Sequence, residues 1–449
     1  MLIRSISGLR GLTASPNGFT DEVAIQYAQS FAAMLGNSGT IALGYDGREG
    51  GKKYYEIISA VLCNSGCSVL QLGMVPTPTV MFAVEKHADV IGGISVTASH
   101  NGQVWNGMKF IASTGLFLDK DENEKLWNII DSTTQSKSFP SGAIIDGKRI
   151  VAEHIEAVLR IPFLQNEKIA SRNFKIVLDA VNASGSVIIQ ELLRKLGVAN
   201  VIALHADGSG KFPHMPEPVP QNLTRLCEAV IRESADLGIA IDPDADRCVF
   251  IMNNGEPFIE ENTIVLAIEE VLSNSDLGQS VVVNLSTTRA VEDIAEKFGA
   301  TVYRTPVGEI NVAKKVLATG SIIGGEGSGG VIYPAVHTGR DSLVAVALAL
   351  NNLARNQCSL SEKKEQLPHY EIVKSKIALK DPAQVTSVLA TVKAIMAPKA
   401  LRINEEDGIR FDFDKSWLHV RASNTEPIIR LIAEAPTIEE AEGILEEVS

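Results

Sequence analysis

Three stretches of this chain repeat one plan: GTIALGYDGREGGKKYYEIISAVLCNSGCSVLQLG (39–73), FKIVLDAVNASGSVIIQELLRKLGVANVIAL (174–204) and QSVVVNLSTTRAVEDIAEKFGATVYRTPVG (279–308). Each reads as an apolar strand, a small polar turn, a helix, a glycine and a second strand. The turns fall at Asp46-Gly47, Asn182-Ala183-Ser184 and Ser286-Thr287-Thr288. The helices close at Gly66, Gly197 and Gly299, as helices commonly do. Strands that are apolar throughout must be covered on both faces, which implies parallel sheets flanked by helices. The repeat therefore predicts an α/β chain with three related mixed α/β domains. At 449 residues the chain is too long for a single hydrophobic core.

From Gln366 the pattern changes. Strand candidates HYEIVKSKIAL, GIRFDF, WLHVRAS and PIIRLIAEA alternate with helical patterns at 382–396 and 437–448, which predicts a C-terminal α+β domain. The expected domains are 1–150, 151–254, 255–365 and 366–449, with the polar segment SLSEKKEQLP as the linker into the last.

The chain carries 41 Lys and Arg against 54 Asp and Glu, a net charge of −13. This argues against nucleic acid or an anionic membrane as partner, yet allows a small anion held by local positive charge. No apolar run approaches the ~20 residues that span a bilayer. The first residues, MLIRSISGLRG, lack the apolar core of a signal peptide. Cys63, Cys67, Cys227, Cys248 and Cys358 are scattered and odd in number. They read as reduced thiols, so a cytoplasmic location is expected.

Four stretches carry chemistry. In SVTASHNGQVWNGMKF (95–110) a buried-strand pattern ends at Thr97-Ala98-Ser99-His100-Asn101. Ligands gather at the carboxyl ends of strands in open α/β sheets, so Ser99 is presented and His100 could orient or shuttle a proton. A plain Ser/Asn turn has the same composition. In IAIDPDADRCVF (239–250) a strand runs into Asp242, Asp244 and Asp246. Three carboxylates this close repel unless a cation neutralises them, and hard oxygen donors suit Mg²⁺ or Ca²⁺. An EF-hand would need Gly and Glu where Arg247 and Asn253 stand. SIIGGEGSGG (321–330) sets Glu326 and Ser328 among five glycines, where backbone can approach a ligand closely and the two side chains can bond sugar hydroxyls. In VRASNTEPIIR (420–430), Arg421, Ser423, Asn424, Thr425 and Arg430 surround a turn stopped by Pro427, the inventory of an anion cradle.

In chain order, SGLRG, GYDGRE, TASHN…WNGMKF, DPDADR, TPVGE, GGEGSGG and RASNTEPIIR resemble the α-D-phosphohexomutases, and the likeness covers essentially the whole chain. This family contains phosphoglucomutases, phosphomannomutases and phosphoglucosamine mutases. The resemblance implies four domains around a central cleft. It implies reversible phosphate transfer between C6 and C1 of a hexose, through phosphoserine at Ser99 and a sugar 1,6-bisphosphate that also acts as activator. It makes Ser99, Asp242, Asp244 and Asp246 the Mg²⁺ ligands, faces Arg247 toward the transferring phosphate, and sets Arg10 and Lys109 near the phosphoserine. Glu326, Ser328 and Gly308 would bind the sugar. Arg421, Ser423, Asn424, Thr425 and Arg430 would hold the other phosphate. Lys109 leads as general acid/base, its pKa expected to be lowered near Arg10 and the metal, with His100 next.

Gly102 stands where the family often has Pro, and Gly330 where it usually has His. His337, Arg340 and Asp341, in VIYPAVHTGRDSL, are expected to do for the sugar what a histidine at position 330 would do. That segment resembles the glucosamine-type mutases, so glucosamine phosphate is expected before glucose or mannose phosphate. The expected partners are small-molecule hexose phosphates, with the chain acting alone or as a homodimer. An aspartyl-phosphate phosphatase on Asp242 and Asp244 competes with this reading, but Asp246 fits it poorly. A non-catalytic sugar-phosphate-binding protein also competes, but would not need Ser99, Lys109 and the three aspartates intact.

Overall fold

The computed structural model describes residues 2–132, 139–379, 381, 383–422 and 428–448. Each repeat folds into the expected parallel pair and then continues with a second helix, a third strand parallel to the first, and a fourth strand antiparallel to the third. The strands are Thr40–Tyr45, Ser68–Met74, Val90–Val96 and Trp105–Ile111 in the first copy. They are Lys175–Asp179, Asn200–His205, Leu237–Ile241 and Cys248–Met252 in the second. In the third they are Ser280–Asn284, Thr301–Thr305, Ile323–Glu326 and Gly330–Tyr333. All three share the spatial order fourth, third, first, second. Three further strands widen the first sheet to seven, and His337–Arg340 extends the third. The closing glycines Gly66, Gly197 and Gly299 all lie at positive φ, where a residue without Cβ ends a helix without strain.

Shared topology puts the three connections between third and fourth strand in equivalent places. These are the loops that carry Ser99, the aspartates and the glycines. Each contains one left-handed residue: Ser99 at φ +50°, Ala245 at +52° and Gly329 at +88°.

The C-terminal domain is an antiparallel sheet of five strands backed by the helices Gln384–Met396 and Ile438–Glu446. It docks on the third domain through Arg410 to the Leu285 carbonyl, Ser286 Oγ to His419 Nδ1 (2.8 Å) and the Val307 amide to Asp407 Oδ2 (2.9 Å). The first and last domains have their own cores, whereas one apolar cluster runs from the second into the third without a break. The segment expected as a polar linker is instead the helix Leu360–Gln366, opened by a capping box of Ser359 and Glu362. Leu360 and Leu367 at its ends are buried in that shared core. Among the described residues no helix is long and apolar enough to cross a membrane.

Candidate active site

The serine loop is held from beneath. The Ser99 amide donates to Thr97 Oγ1 (2.8 Å), and the Thr97 hydroxyl donates to Asp46 Oδ2 (2.6 Å). Asp46 pairs with Arg48 Nε (2.8 Å), and both side chains are fully buried. Arg48 also donates to the carbonyls of Ser99, Asn101 (3.3 Å) and Trp105 (2.9 Å). The polar turn of the first repeat thus clamps the loop and fixes Ser99 in a left-handed conformation that a residue with Cβ adopts at a cost. Above it, Ser99 Oγ lies 3.3 Å from His100 Nδ1, and Arg10 Nη1 donates to Asn101 Oδ1 (2.6 Å). Burial, Arg247 and Arg10 push the His100 pKa down to about 2, so its imidazole is neutral.

Asp242, Asp244 and Asp246 are buried, and one ligand oxygen of each lies within 4.8 Å of the others. Asp242 Oδ2, Asp244 Oδ1 and Asp246 Oδ1 are buried without a hydrogen-bond partner among the described residues. Burial and the neighbouring Asp246 and Asp244 hold Asp242 well above the usual carboxylate range. One unpaired hard oxygen from each of three converging carboxylates is the donor set that suits Mg²⁺. The first domain closes on this loop twice. Thr77 donates from its amide to the Asp244 carbonyl (2.9 Å) and from its hydroxyl to Asp244 Oδ2 (2.7 Å). Lys109 Nζ donates to Asp244 Oδ2 (2.6 Å) and Asp246 Oδ2 (3.0 Å).

On the glycine loop, Glu326 accepts from Arg340 Nη1 (2.6 Å), Asn284 Nδ2 (2.8 Å) and the Gly308 amide (3.1 Å). Arg340 also reaches Asp246 Oδ2 (2.7 Å) and Glu309 Oε2 (3.0 Å), and its Nη1 lies 3.5 Å from Ser328 Oγ. One buried guanidinium therefore couples the glycine loop to the aspartate loop. In the last domain Arg421 and Arg430 face each other across antiparallel strands, on either side of 423–427. Arg421 Nε is buried without a partner among the described residues. Burial lowers the Arg421 pKa, and Arg430 adds to the effect. Like charges directly opposite destabilise a strand pair, and an anion between them removes that penalty. Ser423, Asn424 and Thr425 lie outside the described residues.

Residues 2–137, 152–255 and 260–370 match the first, second and third alpha/beta/alpha domains of the phosphoglucomutase/phosphomannomutase family, and 373–449 match its C-terminal domain. The chain belongs to this family of phosphohexomutases. A relative from Thermococcus kodakarensis named phosphoglucomutase/phosphomannomutase is 33% identical, over 98% of this chain and 96% of its own. One from Sulfurisphaera tokodaii named phosphoglucosamine/phosphogalactosamine mutase is 28% identical, over 98% and 96%. The crystal structure of a phosphoglucomutase/phosphomannomutase family protein from Burkholderia thailandensis superposes with a TM-score of 0.85 at 25% identity, covering 100% of this chain and 96% of that one.

As a phosphohexomutase the chain is an isomerase that moves phosphate within a sugar. Two expectations need correction. Where no cation neutralises the aspartates, burial works to lower the Lys109 pKa, but Asp244 and Asp246 outweigh it and hold the ammonium above the ordinary lysine value. Arg10 bonds Asn101, two residues from Ser99. His337 and Asp341 do not stand in for sugar contacts. With His154 they form a fully buried cluster in which both Nε2 atoms meet Asp341 Oδ2 (2.8 Å from His154, 3.2 Å from His337). Thr79 Oγ1 completes it at 3.0 Å from His154 Nδ1, so three parts of the chain are joined there. Arg340 does reach the glycine loop. Asp46 and Arg48 were missed as site residues, although a charged pair ending an apolar strand in GYDGRE was a visible signal.

Proposed function

We propose that this phosphohexomutase interconverts glucosamine 6-phosphate and glucosamine 1-phosphate, with Ser99 carrying the transferred phosphate and a 1,6-bisphosphorylated sugar as intermediate and activator. The observation that carries this reading is the junction at Lys109. A side chain of the serine-loop domain forms ion pairs of 2.6 and 3.0 Å with Asp244 and Asp246 of the next domain, and Arg340 extends that junction to Glu326.

Asp242, Asp244, Asp246 and the Ser99 phosphate would hold Mg²⁺, which supplies charge neutralisation at the phosphoryl oxygens. Arg10, Arg247 and Lys109 offset charge as the phosphate leaves one oxygen for another. Proton removal from the attacking sugar hydroxyl falls to one of two side chains. His100 is neutral where it stands, whereas Lys109 serves only once its ammonium gives up its two carboxylates. Glu326, the Gly308 amide and Ser328 bind adjacent sugar hydroxyls in either orientation. Arg421 and Arg430, with 423–425, hold whichever phosphate is not reacting.

The choice of amino sugar is supported by the name of the Sulfurisphaera relative and by the GGVIYP…GRD segment. The name of the Thermococcus relative favours glucose or mannose phosphate as the second reading. The test compares turnover of glucosamine, glucose and mannose 6-phosphates, each primed with its bisphosphate, by wild type and Ser99→Ala. Glucosamine 6-phosphate should give the highest kcat/KM, and Ser99→Ala should lose turnover with an unchanged Tm. A tenfold preference for glucose or mannose phosphate rejects the sugar assignment. Turnover by Ser99→Ala rejects the phosphoserine.

A further inference from the structure

A second cluster of ligand-type side chains lies outside the machinery described so far. Asp179 ends the first strand of the second sheet, and His205 is its cross-strand partner on the neighbouring strand. His214 comes from the loop that follows. Asp179 Oδ2 lies 2.8 Å from His205 Nδ1 and 2.9 Å from His214 Nε2. Its other oxygen accepts the Val181 amide at 3.0 Å.

The protons in this cluster do not balance for neutral side chains. His214 Nδ1 is 2.8 Å from the Met215 carbonyl, which can only accept, so Nδ1 carries the hydrogen. In a neutral ring Nε2 is then a lone pair, and it faces a carboxylate oxygen at 2.9 Å. Two acceptors in contact require a cation between them.

We propose that Asp179, His205 and His214 form a binding site for one transition-metal ion of the zinc class, separate from the aspartate triplet and independent of the mutase reading above. Two imidazole nitrogens and one carboxylate are the borderline donors that zinc selects, whereas the all-oxygen triplet suits Mg²⁺. The Met215 carbonyl fixes the His214 tautomer as a second partner of a metal-bound histidine does. Zinc–ligand bonds of about 2.0–2.1 Å set tetrahedral neighbours about 3.3 Å apart, so the present contacts open by only a few tenths of an ångström. The histidine side chains retain 13% and 16% exposure, which leaves a path for the ion and a water as fourth ligand.

Occupancy would reach the serine loop. The loop after His205 lies against it: Gln103 Nε2 donates to the Gly210 carbonyl (2.9 Å), and the Phe212 amide donates to Gln103 Oε1 (2.7 Å). The Phe212 ring stacks under Arg48 at 5.4 Å. A metal at His214 ties this loop to the second sheet while its other side braces the catalytic loop.

The test uses chelator-stripped full-length protein in millimolar Mg²⁺, which fills the oxygen triplet, titrated with Co²⁺ as a spectroscopic stand-in for Zn²⁺. One equivalent should bind with the visible bands of a nitrogen-ligated ion and be displaced by Zn²⁺. His214→Gln should lose the bands, with affinity reduced at least about tenfold, while Asp242→Asn keeps them. Bands kept in His214→Gln and lost in Asp242→Asn place the ion on the triplet and overturn the proposal. Wild-type protein without nitrogen-ligated Co²⁺ overturns it too, and identifies the cation as a proton on His214.

Discussion

Arg48→Met removes the clamp under the serine loop while leaving every proposed catalytic group in place. The substitution takes donors from the carbonyls of Ser99, Asn101 and Trp105 and leaves Asp46 charged in a fully buried position. Removing one partner of a buried ion pair costs about 3–5 kcal/mol. The three carbonyls all belong to the serine loop and its exit, so much of that cost falls on the loop geometry. If about 3 kcal/mol falls there, the population that presents Ser99 drops by about a hundredfold, and kcat/KM should fall by the same factor. Tm should fall by several degrees, whereas Mg²⁺ affinity of the unphosphorylated protein should hardly change, because the aspartates sit on another domain. Adding Asp46→Asn removes the unpaired charge but not the missing donors, so the double variant should recover Tm and not turnover. Coupled-assay kinetics and thermal unfolding read the two effects separately. A single variant within threefold of wild-type kcat/KM, or a double variant with restored turnover, would refute the clamp.

Three further outcomes are expected. Asp242→Asn relieves the burial and the repulsion from Asp246 and Asp244 that disfavour this carboxylate, so without divalent ions its Tm should exceed wild type, and Mg²⁺ should no longer raise it in thermal scans. Glu261, beneath the glycine loop, has a pKa pushed up to about 8 by burial, from an ordinary 4.5. The native state keeps this proton while the unfolded chain loses it, so stability is full below about 4.5 and declines as pH rises to about 8, by on the order of 5 kcal/mol. Denaturant midpoints of Glu261→Gln should lack that decline. Arg421→Ala should raise KM for the sugar phosphate about 10- to 100-fold, the worth of one charge-assisted bond at about 1.5–3 kcal/mol, with a smaller effect on kcat; an unchanged KM places the second phosphate elsewhere.

The loops that carry chemistry were legible because each packs its functional residues into a few consecutive positions at a strand end. The rest depended on distance along the chain or on weak local signals. The third strand of the third copy, Ile323–Glu326, contains two glycines and reads as loop, yet Val281–Val283 pair with it as a strand. Arg402–Asn404, a strand of three residues, carries no periodicity. The helix Leu360–Gln366 looked like a linker because its apolar residues lie only at its margins, although Ser359 and Glu362 spell out its cap. Lys109 could be placed near the aspartates by resemblance, but the sign of its pKa shift depends on two contacts with residues more than 130 positions away. His337 and Asp341 form an ordinary i,i+4 polar pair in sequence. Their role appears only with His154, 187 positions from Asp341.

That buried histidine–aspartate cluster has a mechanical consequence. Through His154 of the second domain it ties Thr79 of the first to Asp341 of the third, all three fully buried, while the second and third already share one core. Three of the four domains would then form a fixed basin. The C-terminal domain, seated on the third through Arg410, His419 and Asp407, is then the one expected to act as a door. If the proposed bisphosphate turns over in the cleft, its escape would depend on how fast that door swings relative to the turn.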